Sequence, residues 1–129
     1  MTTQIMEHTA LDELYLKYCE ARSWPDEAPP LDLNQFEQLV LFFPCALVAA
    51  SDGVIDSEEW IYIRYLSHFT TSALSPAPEG EAKAALEAAY LQEFRFLADR
   101  LDDWRRPFMD TLADILDKDR EAKESVLDA

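Results

Sequence analysis

Glycine is almost missing from this chain: Gly53 and Gly80 are the only two in 129 residues. Phosphate-cradling loops of the G-x-G-x-x-G or G-x-x-x-x-G-K type need several glycines in close succession, so they are excluded. Histidine and cysteine are as scarce, at two each. His8 and His68 have no companion at metal-ligand spacing, and Cys19 and Cys45 form no zinc-type pattern or disulfide framework. His68 is expected to be a core or surface side chain rather than a ligand, and the cysteines to be buried free thiols. With no Ser–His or Cys–His pattern and little for acid–base work, no enzyme is expected. Positive charge is also thin: 11 Lys and Arg face 26 Asp and Glu, a net charge of −15. A surface that acidic repels nucleic-acid phosphates and anionic membranes. It suits cations or a basic protein partner. The longest apolar run, Leu39 to Ala50, is too short to cross a bilayer and holds Pro44, so no transmembrane segment is expected. Met1 to His8 lacks a basic region followed by an apolar run, so no signal peptide is expected and the location expected is cytoplasmic.

Apolar residues make up 49% of the chain and aromatics 12%, which excludes a disordered tail. The length suits a single domain over residues 1–129. Ala, Leu and Glu are plentiful and β-branched residues few, which favours helices. Thr9 can cap a first helix, with Leu11, Leu14, Tyr15, Tyr18 and Cys19 on one stripe and an end near Arg22. Three prolines between Ser23 and Pro30 forbid a helix there and make the segment a strap, with Trp24 folded onto the surface. Asp32-Leu33-Asn34-Gln35 is a second capping signature. It opens a helix through Phe36, Leu39, Val40, Phe43 and Leu47, which Pro44 is expected to kink or split. Trp60 to Phe69 is apolar nearly all round and reads as a central buried helix. A loop from Thr70 to Gly80 precedes a long helix carrying Ala82, Leu86, Tyr90, Phe94, Leu97, Leu101 and Trp104, with an end near Asp103. Pro107 suits the first turn of another helix. The expected architecture is an all-α compact bundle of about six or seven helices. Leu47, Ile61, Leu66, Phe94, Leu97 and Leu112 are expected in one buried cluster.

Between the two most apolar segments lies Ser51-Asp52-Gly53-Val54-Ile55-Asp56-Ser57-Glu58-Glu59-Trp60, with four carboxylates and no base. Gly53 suits the left-handed residue just past a helix end. Asp56 and Glu59 have capping-box spacing for the helix that follows. Asp52, by contrast, faces the negative end of the preceding helix, at a cost of about 0.3–1 kcal/mol. Either an Asx-turn compensates it or the three acids Asp52, Asp56 and Glu59 share a hard cation, calcium or magnesium. An EF-hand loop does not fit: with Gly53 at its sixth position, Val48 and Ala50 take the first and third ligand positions. A well-capped turn with nothing bound is the plain alternative.

The segment Ala49 to Glu59 resembles the hallmark of the tellurite-resistance TerB-like family, AxADGxIxxxE in outline, over about a dozen residues. The resemblance implies an all-helical fold with two helix–turn–helix corners whose acids bind metal. The second corner would fall at Asp117 to Glu124, which repeats the Asp52-to-Glu59 span. There Lys118 stands in place of the glycine and Arg120 in place of Ile55, so one uninterrupted helix with i,i+4 ion pairs is an equal reading. Two functions follow. The first is a TerB-like module binding a divalent cation and/or a protein partner through its acidic corner, in a stress response. The second is an acidic interaction protein that neutralises a basic partner, such as an immunity protein or a nucleic-acid mimic.

Overall fold

The computed structural model describes residues 9–25, 27–49, 57–74 and 76–128, without the side chains of 57–59 and 121–128. Among the described residues there are five helices and no strand: α1 (Ala10–Arg22), α2 (Leu33–Ala49), α3 (Ser57–Ser72), α4 (Gly80–Asp99) and α5 (Leu101–Asp128).

Local chemistry explains both ends of α1 and the start of α2. Thr9 opens α1 with a full capping box: its hydroxyl accepts the Asp12 N–H at 3.1 Å, and its own N–H donates to the Asp12 carboxylate at 3.2 Å. Asp32 and Gln35 repeat the device before α2, each backbone N–H donating to the other's side chain at 2.8 Å. The end of α1 is a Schellman motif. Ser23 takes a left-handed φ of 57°, its N–H donates to the Glu20 carbonyl, and the Trp24 N–H reaches back to the Cys19 carbonyl at 3.0 Å. Trp24 then packs on Tyr18 with ring centroids 5.4 Å apart, so the strap is pinned by an aromatic contact.

The helix count is lower than the six or seven expected, because both prolines are absorbed inside helices. Pro44 lies within α2 and Pro107 within α5. The break that does occur falls at Arg100, with φ −133° and ψ 40°, rather than near Asp103. No Gly or Pro marks it. The Asp103 and Trp104 N–H groups donate to the Arg100 carbonyl and start α5 at once.

Helix α2 is the hub, packing against the other four. Among the described residues, helix α3, expected at the centre, packs only against α2 and α4. The core is aromatic: Tyr18, Phe36, Phe43 and Phe108 are fully buried and lie ring to ring, with Trp104 against Tyr18 at 5.1 Å. Four of the six expected core residues, Leu66, Phe94, Leu97 and Leu112, are buried in this one cluster. Leu47 is half-buried against it, and Ile61 is 54% exposed.

The Ile61 expectation failed on the phase of α3. Its buried face is Ile63, Leu66, Ser67, Thr70 and Thr71. The three hydroxyl residues enter the core because each donates to a carbonyl one turn back: Ser67 to Ile63, Thr70 to Leu66 and Thr71 to Ser67, at 2.7–2.9 Å. Apolar residues that would ordinarily fill those positions are displaced outward. The thiols Cys19 and Cys45 form no disulfide and are half-buried rather than buried.

Candidate functional site

Two arrangements stand out, one internal and one on the surface. The internal one joins α1 to α4. Glu93 is almost wholly buried, and its carboxylate accepts the Tyr18 hydroxyl at 2.6 Å. Arg22 approaches the same carboxylate in bidentate fashion, Nε donating at 2.7 Å and a terminal nitrogen at 3.0 Å. The Arg22 guanidinium also lies over the Phe96 ring at 4.4 Å, and Arg100 lies over Phe96 at the same distance. The hydrogen bonds donated to Glu93 hold the Arg22 pKa up, while burial and then Glu93 push the Tyr18 hydroxyl well above its ordinary range. Every polar atom of the carboxylate is matched, so this cluster acts as a strut and presents no reactive group to solvent.

The surface arrangement is the outer side of α3. Ile61, Tyr62, Tyr65 and Phe69 are 44–60% exposed. Helices α3 and α4 run antiparallel. Arg95 of α4 covers Trp60 at 4.8 Å near one end, and Glu87 meets His68 Nδ1 at 2.9 Å near the other. Two shallow clefts lie along this side. One of about 450 Å³ is lined by Ile61, Arg64, Tyr65 and His68. One of about 200 Å³ is lined by Trp60, Arg64, Leu91 and Arg95. Arg64 belongs to both. Burial, followed by the neighbouring Cys45, raises the pKa of the Tyr62 hydroxyl.

Of the acids read as cation ligands, Asp52 and Asp56 lie outside the described residues, and Glu59 is in the first turn of α3 with its side chain outside them. Asp117 is exposed on α5, 3.8 Å from Arg120, and Glu124 lies further along that helix, its side chain likewise outside the described residues. The Asp117–Glu124 segment is continuous helix, with Lys118 on Asp114 at 3.3 Å, so of its two readings the uninterrupted helix holds. Among the described residues, no group of three or more His, Cys, Asp or Glu is placed to hold a metal ion. No helix among the described residues is long and apolar enough to cross a membrane.

Sequence reasoning passed over Glu93. One signal was present: it falls three residues after Tyr90 and four before Leu97, in phase with the apolar stripe of α4. A lone carboxylate on a core face requires a partner. Comparison with protein-family models, with curated proteins and with solved structures finds no match.

Proposed function

We propose that the protein is a non-catalytic helical binding module of the TerB-like kind, acting in a stress response through the acidic connection between α2 and α3. That connection takes a divalent cation, calcium or magnesium, and through it or beside it a protein partner. One observation supports this reading above others. Helix α2 ends at Ala49, α3 begins at Ser57, and the two pack against each other. The chain from 50 to 56 thus joins two mutually packed helices, with Glu59 in the first turn of the second, as a corner site requires. Asp52, Asp56 and Glu59 are the proposed ligands. Asp117 and Glu124 are left out of the proposed ligand set, because their segment is continuous helix, in which Asp117 lies 3.8 Å from Arg120.

Calorimetric titration with calcium, magnesium, manganese and zinc tests the reading directly. Binding to the parent, lost in Asp52→Asn, Asp56→Ser and Glu59→Gln, is the expected result. Flat titrations for all four metals would refute cation binding.

A second reading is favoured by the charge of −15. On that reading the protein neutralises a basic partner, as an immunity protein or nucleic-acid mimic would, and the charge acts as a field rather than a site. Loss of any single acid is then tolerated, whereas the corner reading makes Asp52, Asp56 and Glu59 indispensable.

A further inference from the structure

From Trp60 to Ser72, α3 contains no Asp or Glu, although 26 of the chain's 129 residues are acidic. Its full charge in that span is Arg64. Across the antiparallel α3–α4 seam, Arg95 stands over Trp60, and Glu87 is engaged by His68. Neither Arg64 nor Arg95 pairs with a carboxylate among the described residues. The result is a cationic, aromatic groove on an otherwise anionic molecule. Arg64 sits where the two clefts meet, and Ile61 and Tyr65 line the larger one.

We infer that this groove docks an acidic, apolar segment of a partner protein, its aliphatic or aromatic side chain against Ile61 and Tyr65 and its carboxylates on Arg64 and Arg95. This is a second binding face, opposite in charge preference to the α2–α3 connection. Two guanidiniums, that of Arg95 braced by the Trp60 ring, are suited to carboxylates, because their planar forks accept bidentate pairing and shed water readily. Exposed aromatic side chains with an arginine between them have the composition of an interface centre. A second copy of the chain is the weaker occupant. Each copy carries −15, and an isologous pairing through the middle of α3 would bring two Arg64 side chains together. Nucleic acid would meet the same repulsive field over its whole length. A short acidic segment meets it only locally, since charges beyond about 8 Å are screened at physiological ionic strength.

Panning a phage-displayed library of random peptides against the full chain tests this. Arg64→Glu and Tyr65→Ser serve as depletion controls, both positions being exposed and their folding checked by thermal melting. Enriched peptides should carry Asp or Glu beside Leu, Phe or Trp. A synthetic representative should bind the parent, and should lose about tenfold or more on Arg64→Glu or on conversion of its own acids to amides. Asp56→Ser should leave its binding unchanged, which separates this groove from the acidic connection. Four outcomes would overturn the proposal. These are no enrichment over the depletion variants, enrichment of neutral or basic peptides, groove-dependent binding of a single-stranded oligonucleotide, and a dimer in sedimentation that Arg64→Glu dissolves.

Discussion

Glu93 shows how one residue decides what its neighbours must be. A carboxylate with a side chain 2% exposed would be strongly destabilising alone. It is tolerated because Tyr18 and Arg22 supply donors on both oxygens. Arg22→Ala should therefore destabilise by about 3 kcal/mol, the low end for breaking a buried pair, because the Arg22 side chain keeps 24% of its exposure. Replacing all three together, Tyr18→Phe, Arg22→Met and Glu93→Leu, should recover most of that loss, as measured by urea midpoints at constant m-value. A second residue-scale prediction concerns alkali. Burial, followed by the nearby Cys19, pushes Tyr15 up from 10.0 to about 12, and burial also raises Tyr18 and Tyr90. A pKa higher in the folded state means that the unfolded chain releases its proton first. The associated stability is fully present below pH 10 and is lost as pH rises from 10 towards 12. Urea midpoints should fall over that window, in step with phenolate absorbance, and Tyr15→Phe should flatten part of the fall.

At the scale of the element, α3 is the informative helix. Ile63 is fully buried while Ile61 is 54% exposed, so Ile63→Ala should cost about 2–5 kcal/mol and Ile61→Ala within about 0.5. Denaturant unfolding of the two variants checks this, and equal shifts would mean the face is misassigned. The contrast also explains what could be read beforehand. Caps are local chemistry, so Thr9 and Asp32–Gln35 are plain from residue type and spacing. The stripe of α4 is legible because its large apolar residues recur at three- and four-residue steps. The Trp60–Phe69 stretch of α3 is apolar on nearly every side, so periodicity there carries little phase. Its buried hydroxyls were then decisive, and they look polar in sequence. The break at Arg100 had no Gly or Pro to announce it. The Glu93 partners lie 75 and 71 residues away in the chain, beyond any local pattern. At the candidate corner the acidic spacing was readable, but a ligand set is a matter of distances between side chains, and Asp52 and Asp56 fall outside the described residues.

At the scale of the whole molecule, charge dominates. A net −15 on 129 residues opposes compaction by self-repulsion. Salt relieves it: the screening length falls from about 30 Å at 0.01 M to about 8 Å at 0.15 M. The melting temperature should therefore rise with sodium chloride over that range, for the parent and for any corner variant alike. This general effect would counterfeit cation binding in a careless experiment, because divalent salts screen more strongly. At matched ionic strength the two effects separate. Screening depends on total charge, so removing one carboxylate from 26 barely changes it. A corner site depends on its ligands: with calcium or magnesium at a hundred times the dissociation constant, a bound ion would add about 2.7 kcal/mol of stability. Asp56→Ser retains a helix cap and Asp52→Asn a turn-forming side chain, so neither should lower the melting temperature without metal. The expected result is a parent melting curve that climbs further in magnesium or calcium than in sodium at equal ionic strength, with both variants showing only the sodium response. Identical curves in all salts for parent and variants would leave the acidic connection as a capped turn and its charge as part of the general field.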